Sequence, residues 1–297
     1  MTIPSTSEFV ISVGKSSGYG PGPRAATLAD GRVVVAWRDP NSASGDIRHK
    51  IIDVDGTLLS GDILSTASSA GDQSEPAIAA LDGGGFVIVW RDWSGPDQDV
   101  RYRVFDAAGT PVATGLVTAG ETTTGIQNNP AVAGTADGGF VVIWSDSNAS
   151  NTGLVEGRVG LVGRAYDASG VAQGGIVRIS GAEGAGINGS LAIGEEQAVF
   201  VRDDDLLDGI YLTQTGTGLP EVDTEEDGFA VTEGSEAPSK PDVAITSAGT
   251  VVVWQEDNRV YYRIGEGDVA NLTDAEQNQS SARIKALPTG GFVVTWD

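Results

Sequence analysis

The chain has 297 residues and carries 41 Asp and Glu against 18 Lys and Arg, a net charge of −23. That balance repels phosphate backbones and anionic headgroups, so it excludes nucleic acid as a partner and leaves cationic partners, divalent ions or solubility alone. With no cysteine and one histidine, disulfide frameworks, thiolate sites and His-rich zinc sites are excluded, and no run of about 18 apolar residues predicts a membrane-inserted helix.

The N-terminus, MTIPSTSEFVIS, has neither a basic n-region nor an apolar h-region, so it does not read as a Sec signal peptide. Within it, SEFVIS (7–12) reads as a short strand. GRVVVAWRD (31–39) is apolar on both alternating faces, the pattern of a strand buried on both sides. DIRHKIID (46–53) alternates and holds His49, which reads as an ordinary strand residue. It runs into the turn DVDG (53–56) and the short strand GDILST (61–66).

The same pattern then returns. PAIAAL (76–81), FVIVW (86–90), DVRYRVFD (99–106) and TPVATGLVT (110–118) are four strand-like pieces of one unit. GGFVVIWSD (138–146) with DASG (167–170), QAVFVRDDD (197–205), the run ending at Trp254, and GGFVVTWD (290–297) repeat parts of it. Aligned on the end of each apolar run, the recurring position holds Trp37, Trp90, Trp144, Val201, Trp254 and Trp296, at spacings of 53, 54, 57, 53 and 42. The D-x-x-G tetrads suit tight hairpin turns, with Asp bonding its own loop and Gly accepting positive φ. No sustained 3.6-residue apolar period appears, and 42 glycines punctuate the strands.

Units of this length with four antiparallel strands predict an all-β chain folded as one β-propeller domain over 1–297, of about six four-stranded blades. The repeats run roughly 13–66, 67–118, 119–180, 181–232, 233–273, and 274–297 joined by 1–12. Both termini then share the final blade, which lacks a third strand and is incomplete, so the natural protein is expected to continue past Asp297; the count is six, and further sequence would leave room for a seventh blade. The repeated Trp is expected to fill the wedge between blades.

The unit PAIAALDGGGFVIVWRD…DVRYRVFDAAGTP resembles repeats of large bacterial surface and secreted proteins of the RTX, or haemolysin-type calcium-binding, group. The resemblance implies an extracellular or cell-surface location, company with adhesion and calcium-binding modules, and export by a type I system. The G-G-x-G-x-D-x-U-x nonapeptide of that group's calcium ladder is absent from the sequence.

Two places after each Trp-slot residue stands an acid: Asp39, Asp92, Asp146, Asp203 and Glu256. Further acids follow at Asp46, Asp97, Asp99, Asp205 and Asp208. Loops between second and third strands open at one end of a propeller, so these acids are expected to share a face. One reading makes them strand-end caps that bond loop amides. The other makes them Ca²⁺ ligands, although their spacing is not that of an EF-hand. Arg38, Arg91 and Arg202 suggest a carboxylate clamp, but each adjoins an acid and the S-x-D-x-G-x-x-W box of sialidases is absent. Trp93 has no counterpart in the other units and is the expected ligand-binding residue, for a glycan or a protein.

The sequence therefore predicts a non-catalytic recognition or spacer module, monomeric within a longer adhesin-like protein, with calcium at its acidic loops. The alternative it leaves standing is a lectin-like or carbohydrate-processing propeller.

Overall fold

The computed structural model describes residues 22–39, 41–42, 45–66, 70–112, 117–118, 124–148, 159–179, 186–194, 198–204, 209–215, 228–232, 238–273, 279, 281–287 and 290–296. Among them there is no helix. The strands form six sheets, five of four strands and one of two. The first holds β1 (Arg24–Thr27), β2 (Val33–Arg38), β3 (Ile47–Ile52) and β4 (Ile63–Leu64). The second holds β5 (Asp72–Ala80), β6 (Phe86–Trp93), β7 (Asp99–Phe105) and β8 (Val117–Thr118). The third holds β9 (Gln127–Gly134), β10 (Phe140–Asp146), β11 (Gly160–Tyr166) and β12 (Val177–Arg178). The fourth holds β13 (Gly186–Ile193), β14 (Ala198–Asp204), β15 (Gly209–Thr215) and β16 (Gly228–Ala230). The fifth holds β17 (Ser239–Thr246), β18 (Gly249–Glu256), β19 (Arg259–Ile264) and β20 (Ala270–Asn271), and the sixth β21 (Arg283–Ala286) and β22 (Phe292–Thr295).

Every sheet is an antiparallel meander in chain order. The first strand of each packs on the first strand of the next, β1 on β5, β5 on β9, β9 on β13, β13 on β17 and β17 on β21. This is a propeller-like arrangement. A four-stranded sheet cannot bury both faces alone, and stacking successive sheets does so. Residues 1–12, predicted to complete the last blade, lie outside the described residues.

The core confirms why the second strands are apolar on both sides. Phe86, Ile88 and Trp90 pack toward the first sheet, on Val34, Ala36, Ile47 and Ile51. Val87 and Val89 pack toward the third, on Phe140, Val142 and Trp144. Trp90, Trp144 and Trp254 are fully buried wedges between sheets, as the sequence predicts; of the other tryptophans in that slot, Trp37 is buried on Val35 and Ile52 of its own sheet, and Trp296 is 42% exposed.

The fourth unit corrects the alignment. Val201 faces the fifth sheet with Val199, Leu212, Val243 and Trp254, the opposite side from the Trp wedge. Ala198 and Phe200 face the third sheet. Counting from the hairpin ends, Ile193↔Ala198 and Asp204↔Gly209, the position equivalent to Trp90 is Arg202 and the acid's slot is Asp204 rather than Asp203. Four residues separate β13 from β14 where five separate β5 from β6, which shifts the frame.

Opposite Trp90, Trp144 and Trp254 the first strand takes one extra residue, between Ser74 and Ala77, between Asn128 and Ala131, and between Ser239 and Asp242. These are β-bulges. Each contains a left-handed residue followed by proline, Glu75 (φ 54), Asn129 (φ 51) and Lys240 (φ 52) before Pro76, Pro130 and Pro241. Ser281 (φ 59) occupies the same slot in the sixth sheet. Proline has no N–H to waste where the ladder is broken.

The D-x-x-G turns lock neighbouring sheets. In each, the Gly N–H donates to the Asp carbonyl, as in Gly109 to Asp106 (3.0 Å) and Gly170 to Asp167 (2.9 Å). A Cβ on Gly109 would stand 3.3 Å from His49 Nε2, and one on Gly170 would stand 3.2 Å from Tyr102 Cε2. His49 and Tyr102 occupy the same register position, opposite Ala36 and Val89. Each is capped by the glycine turn of the following sheet.

Candidate ligand face

The acids after the Trp slot sit where second strands enter their loops, and their chemistry is already assigned by the fold. Trp90 Nε1 donates to Asp92 Oδ2 (3.4 Å), Trp144 Nε1 to Asp146 Oδ2 (3.1 Å) and Trp254 Nε1 to Glu256 Oε2 (3.2 Å). Residues two apart on a strand share a side, so the acid can reach back to the indole. The other oxygen caps the loop: Asp92 Oδ1 accepts from Ser94 N (2.8 Å), Asp146 Oδ1 from Asn148 N (2.7 Å) and Asp39 Oδ1 from Asn41 N (2.9 Å). In the first sheet Asp39 Oδ2 instead takes Arg48 Nε (2.6 Å), and the Trp37 indole N–H is buried without a partner.

Arg48 and Arg101 carry a second repeated pattern, missed in the sequence although D-I-R (46–48) and D-V-R (99–101) display it. Arg101 stands 3.6 Å from Asp92 and 3.3 Å from Asp99. Asp99 pairs with Asp92 across the hairpin, and Asp46 with Asp39. Both Asp46 and Asp99 are buried, each with an Oδ1 that has no partner. Burial pushes the Asp99 carboxyl above its ordinary range; Arg101 draws it back, while Asp92 and Asp97 add to the rise. The guanidinium of Arg101 thus stands between the two carboxylates, where a bound cation would stand.

Among the described residues, no group of three or more Asp, Glu or His is placed to share a metal ion. Asp205 and Asp208 lie outside the described residues, and Asp203 lies on β14, paired with Ile210. The fifth unit has no long acidic loop, since Asp257 and Asn258 (φ 47 and 60) form a two-residue hairpin turn. Among the described residues, the acids of the first three sheets, Asp39, Asp92 and Asp146, act as separate strand-end caps.

The arginines next to those acids tie sheets together. Arg38 reaches Gln73 O (3.2 Å) and Asp72 Oδ1 (3.1 Å) in the second sheet. Arg91 bonds Ser74 Oγ (3.0 Å) and Glu75 Oε1 (2.9 Å), and Glu75 Oε2 accepts Asn129 N (2.9 Å) from the third sheet. Arg38 and Arg91 are thus held on acids of the fold, and do not form a clamp for an external carboxylate.

Trp93 differs from every other described tryptophan up to Trp254. It is 50% exposed. The sequence places it in a loop, but it is the last residue of β6, paired with Asp72. Gly71 (φ +73) lets the chain pass close, since a Cβ there would come within 2.3 Å of Trp93 O. The indole is therefore mounted on a paired strand end. Asp72, paired with it, is partly exposed, and Gln98 O, in the loop that follows, takes Gln127 N (2.9 Å) of the third sheet. An aromatic face beside carboxylates and amides can stack a sugar ring and accept its hydroxyls.

No protein-family model and no curated protein matches the sequence. Solved structures share the fold. The α-L-arabinanase of Penicillium chrysogenum complexed with arabinobiose has a TM-score of 0.62 at 13% identity, over 90% of this chain and 84% of that one. The GH93 α-L-arabinofuranosidase of Fusarium graminearum with arabinobiose has a TM-score of 0.63 at 11% identity, over the same shares. The hydrazine synthase of Kuenenia stuttgartiensis has a TM-score of 0.58 at 12% identity, over 97% of this chain and 77% of that one. At such identities the likeness shows the fold, and the fold serves unlike chemistries.

Proposed function

We propose that the chain is a carbohydrate-binding β-propeller of about six blades, holding a saccharide against Trp93 at the loop end of the second and third sheets. The observation that carries this is Trp93 itself: a half-exposed indole on a fixed strand end, in a fold whose Trp90, Trp144 and Trp254 are buried wedges. The glycan-handling proteins among the structural neighbours support it, as does the partly exposed carboxylate of Asp72 on the strand paired with Trp93. Glycan recognition is the role the module would serve in a larger surface protein, as the repeats lead one to expect.

A second reading is glycoside hydrolysis, favoured by the Asp92–Asp99 pair with one carboxyl pushed up. Against it, both are buried, and Asp92 is committed to Trp90 and Ser94. Binding without turnover is the stronger reading.

The test is titration calorimetry with arabino-, xylo- and gluco-oligosaccharides on the parent and Trp93→Ala, with reducing-end release measured in parallel. Binding weakened roughly tenfold or more in the variant, without hydrolysis, is expected. Equal affinity in parent and variant, or no saccharide bound by the parent, overturns the proposal. Release of reducing ends that Asp99→Asn abolishes establishes the second reading instead.

A further inference from the structure

Two successive seams of this fold are built alike. Between the first and second sheets, His49 meets Phe86 at 5.3 Å and Phe105 at 4.8 Å, and the two phenylalanines stack at 4.9 Å. Between the second and third, Tyr102 meets Phe140 at 5.4 Å and Tyr166 at 4.7 Å, and those two rings stack at 5.1 Å. The register makes the clusters equivalent, since Phe86 pairs with Phe105 and Phe140 with Tyr166 at the start of each second strand. An arginine lies over the third ring in both, Arg103 over Phe105 at 5.7 Å and Arg164 over Tyr166 at 6.0 Å. The chain's one histidine thus stands where the next seam has tyrosine.

The two seams differ in how they close. Tyr102 Oη donates to Gly170 O at 2.6 Å, so its polar end is bonded across the seam. His49 reaches the corresponding turn with Nε2, 3.3 Å from where a Cβ on Gly109 would stand, and that nitrogen is buried without a partner. Its Nδ1 is engaged within its own sheet, 2.9 Å from Ser65 Oγ. The charged group facing the ring from the second sheet is Arg103, whose Nη1 donates to Ser65 O (3.4 Å). Asp106, in the glycine turn, accepts from its own loop amides, Ala108 N and Thr110 N. On β3, Arg48 and Lys50 fall on the opposite face by strand alternation and are paired with Asp39 and Asp62. Ile51 and Ile63, which crowd the same turn, are apolar. A proton on His49 therefore puts a cation in a buried seam beside a second cation, with no carboxylate facing it among the described residues. The opened seam takes that proton freely and the closed seam resists it, so acid favours the opened form.

We propose that the seam between the first and second sheets is an acid-operated joint: protonation of His49 parts β3 from Phe86 and Phe105, while the tyrosine-closed seam beside it stays shut.

The test is hydrogen–deuterium exchange by mass spectrometry on the whole protein at pH 7 and pH 5, corrected for the intrinsic pH dependence of amide exchange. Urea unfolding at each pH supplies the global value. Opening of Ile47–Ile52 is expected to become roughly tenfold or more commoner at pH 5, and to stay commoner than both global unfolding and opening of Gly160–Tyr166. His49→Phe keeps an aromatic ring in the cluster, and His49→Tyr installs the side chain of the next seam. In whichever of them folds, the response of β3 to pH is expected to vanish. Protection of β3 that does not change with pH overturns the proposal, as does a change that persists in a folded variant. Protection of β3 equal to the global value at pH 5 overturns it too, because acid would then unfold the whole chain rather than open one seam.

Discussion

Trp144 and Asp146 are bound to each other: the buried indole N–H of the first donates to Oδ2 of the second at 3.1 Å, while Oδ1 of the same carboxylate holds the loop at Asn148. One side chain thereby satisfies a core donor and starts a turn. Asp146→Leu leaves the indole N–H and a loop amide without acceptors in a dry interface, a cost of about 2 kcal/mol or more. Trp144→Phe removes the donor at the outset, so the double variant should lose less than the two single losses combined. Chemical denaturation of the four proteins checks it; strictly additive losses would mean that the pair is not coupled.

His49 should make the protein sensitive to mild acid. It is fully buried, its Nδ1 lies 2.9 Å from Ser65 Oγ, and it meets Phe86 and Phe105 edge-on at 5.3 and 4.8 Å. Burial, with a smaller contribution from Arg103, pushes it down from 6.5 to about 4. Between those values the unfolded chain binds a proton that the folded chain refuses, so stability falls as pH drops through this window and is unaffected above it. The loss at pH 4 is about 3 kcal/mol. Urea midpoints from pH 7 to pH 4 should fall less steeply in His49→Leu than in the parent, whatever the variant's stability at neutral pH.

Asp99 acts in the opposite sense. Its folded carboxyl titrates above the ordinary range, so its charged form destabilises the fold at neutral pH, and that penalty is relieved as pH falls through its folded value. Asp99→Asn keeps the shape and drops the charge, so it should gain stability at pH 7 relative to its effect at acid pH, provided Arg101 keeps Asp92 as partner. A variant equally altered at both pH values would show that Arg101 fully compensates the burial.

Much of this fold is legible in the sequence because its physics is periodic. A strand buried on both faces reads as an unbroken apolar run, and Val87 and Val89 show that the run serves two neighbours at once. The D-x-x-G turns are legible because only glycine tolerates both the positive φ and the close approach of the next sheet. The fourth unit was misread because Arg-Asp follows both Trp90 and Val201, and a turn one residue shorter is invisible to a motif match. The candidate site was half legible. Trp93 stands out as an unrepeated aromatic, but its seat on β6 depends on pairing with Asp72, which no local pattern announces. The commitment of Asp92 to Trp90 follows from strand alternation and could have been read from W-x-D alone.

Gly170 and Tyr102 allow a test of the lock between sheets. Tyr102 Oη donates to Gly170 O at 2.6 Å, and Gly170 is at φ +81 with 3.2 Å between a hypothetical Cβ and the Tyr102 ring. Tyr102→Phe removes one buried hydrogen bond and should cost about 1 kcal/mol. Gly170→Ala adds backbone strain and a ring clash, and should cost more, about 1–3 kcal/mol. Equal effects of the two in thermal unfolding would show that the turn relaxes around the added methyl.

Calcium separates the two readings of the acids most directly. Asp39, Asp92 and Asp146 are occupied by indole, arginine and loop amides, and Arg101 stands between Asp92 and Asp99. A cation entering the second unit would have to displace that guanidinium and take Asp92 from Trp90. Protein stripped with chelator and returned to millimolar Ca²⁺ should therefore show the same melting shift in Asp97→Asn as in the parent. A shift present in the parent and lost in Asp97→Asn would seat an ion in the Asp92–Asp99 loop and turn its caps into ligands. A shift kept in Asp97→Asn but lost in Asp205→Asn and Asp208→Asn would seat it in the fourth unit.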